Sequence, residues 1–423
     1  MSALDALWRL LGKAWPPFDL PAPSGPHRVG TTWRVVKDAS RAERFATRPG
    51  AVRELPVKFW YPAAPGAAGP LACYAAPESL TSLLPLGLNQ RLLAVRTHAI
   101  DDAAMADLVA PVLVFSHGYT GYVEQNTVQM EELASRGYVV ASIAHPGEAS
   151  WAPLPGGRGV PFSPALKAQR RRRKPERKGL RTDMCSPDVT VRRASFVEYL
   201  DTFHEPLRSE SLHEWTQDTR VVVDHLEDLH AGVCASGFQG KLDLSRLGVF
   251  GMSYGGATAV EFARTDARCR AAVNLDGSCF GGLVTGTLAT PLLIMSSTLD
   301  RPVQVPVLDR VSGPVHLATV PDTSHGAFTD LPLIFPRWMR RSRLVGRMDA
   351  MRRLAIMNDC IVTFFDMHLL QRGSAAFDAL PRRYPEVSWA SRPTRGARAP
   401  VVQGAFSASL AGEVSACGSN GGF

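Results

Sequence analysis

An α/β architecture, with a mostly parallel central sheet and helices on both faces, is the fold class the sequence predicts. Three observations carry it. Short, continuously apolar runs such as 111–115 (PVLVF) and 271–275 (AAVNL) read as strands buried on both faces. These runs alternate with helical segments in a βαβ rhythm, which demands parallel strands joined by right-handed crossovers. Several of them end in polar turns carrying Ser, Asp or His, and the carboxyl ends of strands are where open α/β sheets place their chemistry.

Taken in order, Leu4, Leu7, Trp8, Leu11 and Trp15 recur at helical spacing, with Arg9 and Lys13 among them. A helix packed on the domain is the plain expectation; Trp and basic residues also suit a membrane interface, so peripheral membrane contact through this helix is a second one. The proline-rich stretch 17–26 follows, and residues 1–20 are set apart as an N-terminal helix and linker. Residues 29–36 and 55–61 read as strands. In the second, Val57, Phe59 and Tyr61 alternate with Lys58 and Trp60, which predicts a half-buried pair near a sheet edge. A helix is expected around 80–93. Strand 111–115 then runs into the turn Ser116, His117, Gly118, Tyr119, Thr120, Gly121, a helix over 126–135 and a second buried strand over 138–143.

Residues 144–210, with a Gly/Pro loop and a basic run, read as an insertion over the carboxyl edge of the sheet, where substrate-shaping loops lie. Trp215, Thr219, Val222, Leu226 and Leu229 recur at alternating four and three, an amphipathic helix. It feeds the strand 247–250, the turn 251–256 and a helix over 257–264. Strands 271–275, 292–295 and 315–320 continue the rhythm, and a helix over 344–371 is expected to close on Gly373. One α/β domain thus spans 21–375, and residues 392–423, rich in Ala, Gly, Ser and Pro without periodicity, are expected to be a disordered tail.

With 423 residues, 45% of them hydrophobic and 20% charged, the chain can bury a large core. Its formal net charge of +8 is concentrated in 167–178 (KAQRRRRKPERK), where no aromatic residue interleaves to stack bases, so the run reads as a solvated loop and nucleic acid is excluded as the main partner. The seven cysteines show no C-x-x-C pair and no Cys/His cluster, which argues for reduced thiols and calls for neither metal nor cofactor. No apolar run reaches the roughly 18 residues of a spanning helix. Residues 1–5 lack a basic stretch leading into an apolar one, so a cytoplasmic protein is the expectation.

The chemistry centres on 251–256 (GMSYGG), a G-x-S-x-G pentapeptide between a predicted strand and a predicted helix. Alone the pattern is weak, and a glycine-rich loop with a solvated serine would also produce it. In a strand–turn–helix context it is a nucleophile elbow, in which flanking glycines let the backbone turn sharply and leave the Ser253 hydroxyl exposed. Serine is a poor nucleophile until a base takes its proton and a carboxylate holds that base in the right tautomer. In an α/β-hydrolase the chain order is Ser, acid, His, and the sequence supplies it. His325 follows the strand 315–320 in a polar glycine loop, whereas His117 and His145 precede the elbow and read as structural. Two acids qualify: Asp276, at the end of the strand after the elbow helix, and Asp300, after the next strand. Periodicity does not separate them. The oxyanion hole needs two backbone N–H groups, one from Tyr254, after the nucleophile, and one from the turn after strand 111–115, most simply Tyr119.

The segments 21–30 (PAPSGPHRVG), 55–62 (LPVKFWYP), 115–118 (FSHG), 251–260 (GMSYGGATAV) and Asn274, Leu275, Asp276 resemble those of the plasma and intracellular type II platelet-activating factor acetylhydrolases and their bacterial relatives. The resemblance spans most of 20–372, without 150–210, the N-terminal helix or the tail. It implies calcium-independent hydrolysis of short or oxidised acyl esters, typically the sn-2 acyl group of phospholipids, by a Ser-Asp-His triad. It also implies Asp276 rather than Asp300 as the acid, and Tyr119 and Tyr254 as oxyanion donors. Met252 stands where the animal enzymes have histidine, Tyr254 where they have phenylalanine, and Gly277 follows the acid.

The expected function is a metal-independent serine esterase with catalytic Ser253, Asp276 and His325, acting on a small-molecule ester or phospholipid. A general carboxylesterase or polyester hydrolase of the dienelactone-hydrolase-like branch is the alternative within the fold. A silent lipid- or protein-binding module and acyl transfer to another alcohol are the alternatives in other classes.

Overall fold

The computed structural model describes residues 18–45, 50–81, 94–172, 191, 194, 195, 198, 206–297, 310–335 and 345–393. The expected N-terminal helix, most of the helix expected around 80–93, the second half of the basic run, Asp300 and the tail from 394 lie outside these residues.

The strands are β1 (Phe18–Asp19), β2 (Val29–Ala42), β3 (Val52–Pro62), β4 (Leu71–Cys73), β5 (Val95–Asp101), β6 (Ala110–Ser116), β7 (Val139–Ile143), β8 (Trp151–Leu154), β9 (Arg158–Pro161), β10 (Leu242–Met252), β11 (Cys269–Leu275), β12 (Leu292–Ser297), β13 (Val315–Val320) and β14 (Ser388–Arg392). The main helices are α1 (Thr127–Ser135), α2 (Pro206–Ala231), α3 (Tyr254–Thr265) and α4 (Ala350–His368). Among the described residues, twelve strands form one sheet in the order β1-β5-β2-β3-β7-β6-β10-β11-β12-β13-β14, with β4 on β5, while β8 and β9 form a separate hairpin. From β7 through β13 every neighbouring pair is parallel, and the antiparallel pairs β2–β3, β3–β7, β4–β5 and β13–β14 lie outside that block.

Period-two alternation sends each central strand into two cores. Leu113 and Phe115 of β6 and Phe250 and Met252 of β10 join the core that contains Met130 and Leu133 of α1 and Ile356 and Phe365 of α4. Val112, Val114, Leu247 and Val249 join the opposite core with Val222 and Leu226 of α2 and Val260 and Phe262 of α3. A continuously apolar strand is what two such cores require. Phe115 and Phe250 are fully buried with ring centroids 4.8 Å apart, and truncating either to alanine would cost about 3–5 kcal/mol.

Three expectations are corrected. The β2–β3 pair lies inside the sheet rather than near its edge, and β3 is buried on both faces. Lys58 is 4% exposed because its ammonium meets the Glu124 carboxylate at 3.4 Å and lies over the Trp33 and Trp60 rings at 5.4 and 5.1 Å. Polar alternation in the sequence therefore marks a buried ion pair, not a solvated face. The helix expected over 344–371 is α4, which starts where the Asp349 carboxylate accepts the Met351 and Arg352 amides and ends at His368, with Leu369 as its C-cap. Gly373, at φ 78°, lies beyond that end and is not its cap, and Gln371 is itself left-handed at φ 54°. Finally, a strand not expected from the sequence, β14, pairs antiparallel with β13 and takes in Arg392, the first residue of the segment expected to be a disordered tail.

Candidate active site

Strand β10 lies between β6 and β11 and delivers Ser253 at its carboxyl end. Ser253 has φ 58° and ψ −116°, a conformation that costs a non-glycine residue about 1–3 kcal/mol. Its amide donates to Leu275 O at 2.8 Å and its carbonyl accepts from Ala257 N at 3.2 Å, which pins the turn to β11 and to the first turn of α3. The serine, not a glycine, thus carries the strained torsion. Glycine is required beside it for space: a Cβ on Gly251 would lie 2.2 Å from the Gly255 carbonyl, and one on Gly255 would lie 1.9 Å from Ser116 O.

Asp276 follows β11 in the same manner, left-handed at φ 55°, with its amide donating to Met295 O at 2.7 Å. Its carboxylate is buried and accepts from Ser297 N at 2.6 Å, Ser297 Oγ at 3.2 Å and His325 Nδ1 at 2.8 Å. Gly277 has to be glycine because a Cβ there would lie 2.1 Å from Ser253 O. His325 opens a short 3-10 turn, His325–Phe328, after β13, and its Nε2 lies 2.8 Å from Ser253 Oγ. With the carboxylate only accepting, Nδ1 carries the imidazole proton, and Nε2 is left to accept from the serine hydroxyl. The His325 side chain is 46% exposed, so this chain of hydrogen bonds opens to solvent at one end and is buried at the other.

Tyr254 is the first residue of α3, so its amide sits at a helix N-terminus, where partial positive charge favours a developing anion. Tyr119 follows Gly118, whose backbone approaches the nucleophile so closely that a Cβ on it would lie 3.4 Å from Ser253 Cβ and 3.0 Å from Met252 Sδ. The rings of Tyr119 and Tyr254 are 5.3 Å apart. Phe162, from the insertion after β9, meets Tyr119 edge-on at 5.7 Å, and Phe280 lies 5.2 Å from Tyr254. The wall beside the serine is therefore aromatic.

All five expected residues, Ser253, Asp276, His325, Tyr119 and Tyr254, come together at the carboxyl edge of the parallel block. His117 and His145 lie behind the turn, both fully buried. Burial, and the neighbouring His145, push the His117 imidazole down to about 3. His145 is lowered too, by burial that outweighs its bond to Asp218, so this close imidazole–carboxylate pair holds a neutral histidine. For Asp218 burial acts upward, but Arg53, bound through two contacts of 2.6 Å, holds the carboxyl well below its usual range. Sequence reasoning missed Asp218 and Ser297: the first is one more polar position on an amphipathic helix, and the second lies two residues past the last apolar residue of a strand. Among the described residues no group of three His, Cys, Asp or Glu side chains is placed to hold a metal ion.

The model of the family described as platelet-activating factor acetylhydrolase, isoform II, matches residues 15–154 and 208–383. A solved ferulic acid esterase from Streptomyces cinnamoneus shares 28% sequence identity and superposes with a TM-score of 0.70, covering 88% of this chain and 99% of that one. The doubly covered parallel sheet is thus an α/β-hydrolase fold, and the chain belongs to the isoform II platelet-activating factor acetylhydrolase family, a carboxylic ester hydrolase.

Proposed function

We propose that the protein hydrolyses short or oxidised acyl esters through an acyl-enzyme on Ser253. The hydrogen-bonded chain Ser253–His325–Asp276, at the carboxyl ends of β10, β11 and β13, is the observation that carries this reading. Ser253 Oγ adds to the ester carbonyl carbon as His325 Nε2 takes its proton, and the carbonyl π pair moves onto oxygen, where the Tyr119 and Tyr254 amides receive it. Collapse of the tetrahedral adduct breaks the bond to the alcohol oxygen, which leaves with the proton from His325. Water then attacks the acyl-enzyme with the same base, and the carboxylic acid is released. Asp276 keeps Nδ1 protonated throughout and stabilises the imidazolium. Asp300 has no part in this scheme.

A phospholipid sn-2 ester of the platelet-activating-factor type is the substrate the family favours. The aromatic wall of Tyr119, Phe162 and Phe280 favours a second reading, an ester with a flat aryl acyl group, in line with the ferulic acid esterase to which the chain is similar. Hydrolysis of acetyl-phosphatidylcholine, long-chain phosphatidylcholine, methyl ferulate and nitrophenyl acetate, with Ser253→Ala as control, separates them. Preference for the acetyl phospholipid over its long-chain counterpart supports the first reading; preference for ferulate supports the second. Turnover of none of them, with no labelling by a fluorophosphonate, would leave a binding module instead.

A further inference from the structure

Behind the proposed oxyanion turn lies a second hydrogen-bonded Ser–His–Asp set that is closed to solvent. His145 Nδ1 lies 2.9 Å from Asp218 Oδ2 and its Nε2 lies 3.1 Å from Ser116 Oγ, and all three residues are 3% exposed or less. No substrate reaches a serine so buried, so this set carries no reaction of its own. Its place is informative: Ser116 is the last residue of β6 and opens the turn that carries Tyr119.

The turn is held from one side. His145 N donates to His117 Nε2 at 3.3 Å, and His117 Nδ1, which must then hold the ring proton, donates to Gly118 O at 2.8 Å. Thr120 N donates to Glu148 O at 2.9 Å, and Gly121 N donates to Gly118 O at 2.6 Å. The Glu148 carboxylate in turn receives Trp215 Nε1 at 2.7 Å and the Ser211 hydroxyl. Thr120 has φ 68°, a left-handed conformation that a β-branched residue adopts only when its surroundings impose it.

The anchor on the far side is one face of α2. Ser211, Trp215 and Asp218 fall at i, i+4 and i+7, so they share a stripe of that helix. The Trp215 indole stacks on the His145 ring at 3.8 Å between centroids and 9° between planes. It meets Tyr254 edge-on at 4.9 Å and lies 20° from parallel with Tyr119 at 6.3 Å. One buried ring therefore touches both residues whose amides are assigned to the oxyanion hole. Asp218 is fixed in its own place by Arg53 and by Arg41, the latter at 2.8 Å, from β3 and β2.

We infer that His145 and Trp215, braced by Asp218, are positioning residues that hold the turn 116–121 so that the Tyr119 amide faces the developing oxyanion. The inference rests on the proposed reading of Ser253 and Tyr119 and adds a group of residues outside the triad. Preorganised donors act on the transition state and leave ground-state binding nearly untouched. Loosening them therefore separates kcat from KM, which a merely structural role would not do.

The test compares Trp215→Phe, Ser116→Ala and His145→Gln in the full chain, with Ser253→Ala as control. Trp215→Phe keeps an aromatic ring but removes the indole donor to Glu148 and part of the ring stacked on His145, and Ser116→Ala removes only the hydroxyl bonded to His145, so both remain informative if His145→Gln does not fold. For each, kcat and KM on nitrophenyl acetate and the inhibition constant of an aryl trifluoromethyl ketone, which Ser253 converts to a tetrahedral oxyanion, are measured beside the melting temperature. The expected result is ketone binding weakened about 10- to 100-fold, a parallel fall in kcat and a KM changed by less than about threefold. Unchanged ketone affinity in folded variants, with only the melting temperature lowered, would overturn the positioning role and leave the nucleophile standing. Full activity of Ser253→Ala would instead remove the reading on which it rests.

Discussion

Replacing Asp276 by asparagine tests the site at its buried end. The carboxylate receives protons from two sides, Ser297 N at 2.6 Å and His325 Nδ1 at 2.8 Å. An asparagine has one acceptor and one donor end, so in either flip an N–H faces another N–H. If the carbonyl stays on Ser297, the amide NH2 faces Nδ1; the imidazole then moves its proton to Nε2, where it points at Ser253 and cannot take the hydroxyl proton. If the carbonyl faces His325, the buried Ser297 amide is left unpaired, at about 1–3 kcal/mol of stability. The first flip keeps the fold and loses the base. The expected fall in kcat on nitrophenyl acetate is about 10⁴-fold, or about 5.5 kcal/mol of transition-state stabilisation, with KM within a few-fold. Stopped-flow or extended-time hydrolysis by Asp276→Asn, beside Asp300→Asn, measures it. Near-normal kcat in Asp276→Asn together with collapse in Asp300→Asn would refute the assignment of the acid.

Two further outcomes follow from the geometry. Gly118→Ala places a methyl 3.0 Å from Met252 Sδ and 3.4 Å from Ser253 Cβ, so it should lower kcat by about 10- to 100-fold through displacement of the oxyanion turn while circular dichroism stays native; retention of full activity would contradict the assigned turn. Acid should destabilise the fold through two histidines held neutral, the fully buried His117 and the half-buried His316 of β13. Burial holds His117 at about 3 and His316 at about 4, so between pH 6.5 and those values the unfolded chain takes up protons that the native state refuses, and stability is lost as pH falls. At pH 5 each of the two contributes a loss of about 2 kcal/mol relative to pH 8, read as a lower urea midpoint; a midpoint that rises on acidification would contradict it.

The parallel block was legible because its strands are buried on both faces and therefore carry unbroken apolar runs. Ser253 and Asp276 were candidates because each closes such a run, and His325 because it lies in the polar glycine loop after β13. Periodicity does not choose between Asp276 and Asp300: the hydrogen bond from His325 Nδ1 to the Asp276 carboxylate arises from the left-handed backbone at residue 276, whose amide is held by Met295 O, and Asp300 lies outside the described residues. Lys58 misled because a buried lysine paired with Glu124 has the same pattern as a solvated one. Gly373 misled because a glycine near a helix end is a frequent cap, whereas α4 has already ended at His368. Asp218 gave no signal at all, since its partners Arg41, Arg53 and His145 are brought to it only by the tertiary fold.

The most direct test of the central claim is covalent. Treatment with a fluorophosphonate, in which the serine oxygen displaces fluoride from phosphorus, followed by peptide mass spectrometry, should place a single adduct on Ser253. The same treatment of Ser253→Ala should give no adduct, and that variant should have lost ester hydrolysis by several orders of magnitude. An adduct on another serine, or full hydrolysis by Ser253→Ala, would contradict it.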